Sequence, residues 1–105
     1  MVYVSTGGFK DLTFDEAVLR LNDYGITAFE LSGGRYTEDI KEKLVSLSLS
    51  NSLAVHNYFP PHKIPFVFNL ASLNTEIAES SVSHATLAID DAALTGSGFY
   101  SFHAG

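Results

Sequence analysis

His56 and His103 are the side chains of this sequence best placed to do chemistry. Each comes at or near the end of a short aromatic or β-branched run, Leu53-Ala54-Val55-His56 and Phe99-Tyr100-Ser101-Phe102-His103. A neutral imidazole is the commonest metal ligand and a ready proton carrier near pH 7. Two of them ending neighbouring strands could share one ion or one substrate; each by itself could equally be a strand-end histidine bonded to a loop. Glu30, in Ala28-Phe29-Glu30-Leu31, is the third candidate. A carboxylate on the inner face of a sheet is costly unless it is paired. Glu30 could bind a metal, a sugar hydroxyl or a cation, or act as a base, or form an ion pair with Arg35 or a lysine. Asn57, Tyr58 and His62 open a loop where a substrate could pass, and Tyr58 suits the face of a sugar ring; simple packing of that loop is the competing reading. His84 falls in mid-helix and is expected to face solvent without a role.

These residues need elements to hold them. Residues 2–5, 28–31, 53–57 and 99–103 read as strands. Between them, three segments carry helical spacing. The first has a capping-box pair, Thr13 and Glu16, and an apolar face of Phe14, Ala17, Val18 and Leu21. Gly25 stands where a left-handed C-terminal cap belongs. The second helix is expected over 38–47, its acids leading and Lys41 and Lys43 following, as the helix dipole favours. The third is expected over 75–94, begun by Ser72 or Asn74, with a stripe of mostly small residues: Ile77, Ser81, Ala85, Ala88 and Ala92. Gly96 and Gly98 end it. A long loop over 58–73 holds all three prolines, Pro60, Pro61 and Pro65. Prolines stiffen a loop, and loops of this length are often functional.

Strand and helix alternating at this spacing imply parallel strands joined by crossovers. Alternate strand residues form two sets. Val2, Val4, Phe29, Leu31, Leu53, Val55, Tyr100 and Phe102 are apolar and should face the helices. Tyr3, Ser5, Ala28, Glu30, Ala54, His56, Ser101 and His103 form the other set, which turns polar at the C-terminal end of each strand. An open doubly wound sheet wants both faces apolar. A barrel takes polar residues inside its C-terminal rim, where such folds do their chemistry. The expected fold is therefore α/β: about four strands and three helices forming parallel β/α units of a TIM (β/α)8 barrel, a half barrel in one partial domain over residues 1–105. The chain reads as the opening half of a larger enzyme.

Composition narrows the function. The chain has 6 Lys and Arg against 12 Asp and Glu, a formal net charge of −6, with no basic block. Stable binding to nucleic acid or to an anionic membrane rests on Lys and Arg, so neither is expected. Cysteine is absent, which removes disulfides and thiolate metal sites. The N-terminus has no signal-peptide pattern and no apolar run approaches a membrane span, so a cytoplasmic location is the default. No P-loop, GxGxxG, HExxH or GxSxG motif occurs. Gly7-Gly8 and Gly33-Gly34 could let backbone N–H groups approach a phosphate, though plain turns explain them as well.

The segments Val55-His56-Asn57-Tyr58-Phe59-Pro60-Pro61, Pro65-Phe66-Val67-Phe68-Asn69-Leu70-Ala71-Ser72 and Tyr100-Ser101-Phe102-His103-Ala104-Gly105 resemble the sugar phosphate isomerase/epimerase family, as does Phe29-Glu30-Leu31-Ser32-Gly33-Gly34. That family belongs to the xylose isomerase-like barrel superfamily, which also holds the endonuclease IV enzymes. The resemblance spans the whole chain and about the first half of a family member. It implies an eight-stranded barrel with a divalent metal (Zn, Mn or Mg) at the rim and a sugar or sugar-phosphate substrate. His56 and His103 would match rim histidines that bind metal in the endonuclease branch and line the substrate pocket in the isomerase branch, with Glu30, Asn57 and Tyr58 as further substrate contacts. The family's acidic ligands and catalytic carboxylates come from later strands, so this chain alone is expected to be inert. An endonuclease IV-like phosphodiesterase is the alternative. A non-catalytic half-barrel module, pairing through exposed sheet edges as a homodimer or higher oligomer, is another.

Overall fold

The computed structural model describes residues 2–103. Four strands, β1 (Val4–Ser5), β2 (Ala28–Leu31), β3 (Ser52–His56) and β4 (Tyr100–Ser101), alternate with three helices, α1 (Phe14–Asn22), α2 (Ile40–Ser48) and α3 (Thr75–Leu94). The strands form one parallel sheet in the order β1-β2-β3-β4. The α/β class, the parallel sheet and the four-strand, three-helix order agree with the sequence. The third helix runs over the residues expected. The outer strands are shorter than expected, which leaves Val2 and Tyr3 before β1, and Phe102 and His103 after β4.

Register explains the core. Val4 pairs with Phe29 and Phe29 with Leu53, while Leu31 pairs with Val55 and Val55 with Tyr100. These residues lie on one face, and the helices lay Phe14, Val18, Leu44, Leu47, Ala88 and Ala92 against it. Phe29, Leu31 and Val55 are wholly buried. Each such burial stabilises the fold by roughly 1.5–3 kcal/mol. Two members of the expected apolar set depart from it: Val2 is 85% exposed and Phe102 45%. Both lie outside the strands, where no neighbouring strand holds them over the helices.

Capping is visible at the helix starts. Glu16 Oε1 accepts from both the Thr13 backbone N–H and the Thr13 hydroxyl, each at 2.9 Å. Asn74, one of the two residues expected to begin α3, accepts from the Ile77 N–H at 3.2 Å. Gly25 takes the left-handed conformation at φ +79°. Asn22 on α1 donates to Asn51, just before β3, at 2.8 Å and ties two β/α units together.

Candidate functional site

β3 ends at His56, and its partner across the ladder is Ser101 of β4. His56 Nδ1 and Ser101 Oγ are 2.8 Å apart. That bond fixes the imidazole plane and leaves Nε2 for another partner. His103, two residues past Ser101, returns to the same side. The His56 and His103 rings meet edge to face with centroids 5.3 Å apart. The two histidines singled out in the sequence therefore stand together at the C-terminal ends of neighbouring parallel strands, although His103 lies beyond β4 instead of closing it.

Glu30 pairs in register with Ser5 and Ala54, one row deeper than His56 and Ser101. Parallel register carries it to the face that the helices leave uncovered. Arg35, one partner expected for Glu30, instead meets Glu16 at 3.3 Å. No acidic side chain joins the two histidines: among the described residues, no group of three or more His, Cys, Asp or Glu could hold a metal ion. A catalytic zinc ordinarily takes three protein ligands, and magnesium or manganese prefer oxygen. Two imidazoles are thus an incomplete donor set for the expected divalent ion.

Asn57 is buried. Its N–H donates to the Ser101 carbonyl at 3.2 Å and its carbonyl accepts from the Ser32 hydroxyl at 3.0 Å. Among the described residues its side-chain Oδ1 has no partner. The peptide bonds Asn57–Tyr58 and Phe59–Pro60 are cis. Phe59 then turns into the core against Phe14, ring centroids 5.0 Å apart. Tyr58 turns the other way: its hydroxyl accepts from the Phe68 N–H at 3.0 Å, and its ring packs on Phe66, Phe68 and His84. Tyr58 and His62 are both packed against Phe66 of the loop and His84 of α3.

His84 corrects the sequence-based expectation. It is fully buried instead of facing solvent, because the loop between β3 and α3 folds over the helix. Its Nδ1 lies 2.6 Å from His62 Nε2. Burial pushes its pKa down to about 4, and the neighbouring His62 pushes the same way. Burial also lowers the His62 pKa. Tyr58, His62 and Phe66 line a cavity of about 280 Å³ with Gly33, Gly34 and Pro65. The residues buried on α3 run Ser81, His84, Ala88, Asp91, Ala92. The expected stripe held at Ser81, Ala88 and Ala92, whereas His84 and Asp91 were missed because their polar types point to solvent.

No family model, no curated protein and no solved structure matches this chain. Among the described residues, no helix is long and apolar enough to cross a membrane.

Proposed function

We propose that these four strands are consecutive members of a β/α barrel of the sugar isomerase/epimerase kind, and that the chain supplies part of the wall of its sugar-binding mouth. The observation that carries this reading is the meeting of His56 and His103 at one end of adjacent parallel strands, on the face the helices leave bare. In a sugar isomerase a proton moves next to a carbonyl, and hydroxyls on either side must be held by donors and acceptors in fixed places. His56, oriented through Ser101, can offer Nε2 to a sugar hydroxyl, and His103 can do the same from beside it. Glu30, one row deeper, can accept a hydroxyl proton. A divalent ion at this mouth would polarise the carbonyl, and it would need donors beyond the two histidines. The chain by itself is expected to bind sugar weakly and not to turn it over.

The test is a titration of the chain with ketoses, aldoses and their phosphates, followed by the ring carbon and proton signals of all four histidines. The His56 and His103 signals should move at millimolar sugar while those of His62 and His84 stay still. Unmoved His56 and His103 signals across the whole panel would end this reading.

A second reading, an assembly module, is favoured by the β4 edge. Phe99 is 56% exposed and Phe102 45%. Both line an apolar groove of about 350 Å³ with Ile89, Ala92, Ala93 and Tyr100. Another β/α unit or a second copy laid along β4 would cover it.

A further inference from the structure

The loop between β3 and α3 is tied at three points, one within the loop itself and two to the helix. The Phe68 N–H donates to the Tyr58 hydroxyl at 3.0 Å, the Asn69 N–H to Ser81 Oγ at 2.8 Å, and His62 meets His84 at 2.6 Å. The third point differs from the others, because both partners can take a proton. His84 sits among Tyr58, Phe66 and Phe68, with ring centroids 6.1, 5.5 and 5.3 Å away. Its Nε2 is buried and, among the described residues, has no hydrogen-bond partner.

That missing partner settles where the protons lie. A buried N–H without an acceptor is rarer and costlier than a buried acceptor without a donor. In the neutral pair, then, the His84 proton is on Nδ1 and is donated to His62 Nε2. Now add one proton. Placed on His62 Nε2, it puts two N–H groups face to face across 2.6 Å. If the His84 proton shifts to Nε2 to relieve this, it is stranded in an aromatic box with no acceptor. No arrangement keeps the pair with that one added proton in this geometry without a loss.

We propose that His62 and His84 form an acid-released clasp, closed when the pair holds a single shared proton and opened when a further proton enters, so that the loop over 57–74 lifts from α3 and the cavity walled by Tyr58, His62 and Phe66 widens. The clasp does not depend on the sugar reading.

The groups that could oppose this are few. Tyr58 faces His84 from the end of β3. Glu76 and Glu79 of α3 line a second cavity beside His62. Lys63 of the loop, Lys41 of α2 and Asp91 of α3 line a third with His62, along with Tyr36. Lys41 and Asp91 are occupied with each other at 3.1 Å. Among the described residues no carboxylate forms an ion pair with either histidine. Free carboxylates titrate near pH 4 and lysines near pH 10, so imidazoles dominate the interval from pH 7 to pH 5; burial raises the Asp91 carboxyl toward that interval, and the two histidine variants below separate its titration from that of the clasp.

Amide hydrogen exchange tests the clasp, with rates corrected for the intrinsic pH dependence. From pH 7 to pH 5 the protection of the Phe68 and Asn69 amides should fall relative to the β2 and β3 amides. The fall should approach about tenfold per pH unit for each proton taken up. His84→Phe fills the box with a ring that cannot titrate. His62→Gln accepts the His84 proton and cannot titrate either. Either variant should flatten the profile, and His62→Gln keeps the test alive if His84→Phe misfolds. Constant relative protection in the parent chain would overturn the clasp, as would the parent's pH slope surviving in a folded variant.

Discussion

Lys41 on α2 reaches Asp91 on α3 at 3.1 Å, and the carboxylate it meets is almost fully buried while the lysine stays largely in water. The two helices are joined by a pair whose halves are solvated very differently. Burial raises the Asp91 pKa and Lys41 works against that rise. Removing only the lysine leaves a buried charge uncompensated. Lys41→Met should therefore lower stability by roughly 1–2 kcal/mol at pH 7, discounted for the exposure of the lysine. A carboxyl whose pKa is raised by folding contributes stability at low pH and loses it as pH rises. The deficit of the variant relative to its parent should thus shrink between pH 7 and pH 4.5. Urea denaturation of both chains at the two pH values measures it, and a deficit that grows in acid would contradict the account.

Two glycines with positive φ should respond differently to alanine. Gly34 sits at φ +94°, and an added Cβ would meet the Leu12 carbonyl at 3.2 Å. Gly25 sits at φ +79° in open space. Gly25→Ala should cost about 1 kcal/mol from backbone strain alone. Gly34→Ala should cost more, about 2 kcal/mol or above, because strain and the clash add. Thermal melting separates them; equal shifts would mean that the Leu12 carbonyl moves freely aside.

Thr13→Ala should lower stability at pH 7, because it removes the hydroxyl's bond to the Glu16 carboxylate. The two hydrogen bonds from Thr13 hold the Glu16 carboxyl below its ordinary pKa. A lowered carboxyl contributes stability above its usual titration range and loses it as pH falls through the lowered value. The parent and Thr13→Ala should then converge in strong acid. Chemical denaturation at pH 7 and pH 3 checks this.

The chain should associate through its sheet edges. Among the described residues β1 and β4 each have a ladder partner on one side only, and Phe99 and Phe102 stand exposed beside β4. Light scattering at micromolar concentration should give a dimer or larger. Phe102→Lys should shift the population toward monomer without changing the far-ultraviolet circular dichroism. A monomeric parent chain would remove the assembly reading.

Much of this arrangement could be read from residue order. The alternation of Phe29, Leu31, Leu53 and Val55 with Glu30, Ala54 and His56 gave the two faces of the sheet, and the meeting of His56 with His103 follows from parallel register. The His62–His84 pair could not be read the same way. A histidine in mid-helix is usually solvated, and only the path of the loop after β3 covers it. Helical spacing placed Ser81, Ala88 and Ala92 on the packed stripe, but the polar types of His84 and Asp91 concealed that the same stripe includes them. The outer strand ends were overestimated because β-branched and aromatic residues such as Val2 and Phe102 favour strands wherever a neighbour exists, and here none reaches them.

Because strand order in space repeats strand order in the chain, the cost of closing each ladder can be compared directly. Phe29 and Leu53 are 53 − 29 = 24 positions apart, whereas Val55 and Tyr100 are 100 − 55 = 45 apart. Nearly doubling the closed length adds about 0.6 kcal/mol of chain entropy, and the β4 ladder holds only two residue pairs against four for β2 with β3. The β4 ladder is therefore expected to open before the ladder of β2 with β3 in native-state hydrogen exchange. One histidine of the pair thus ends the strand with the longest ladder, and the other follows a strand held by only two residue pairs.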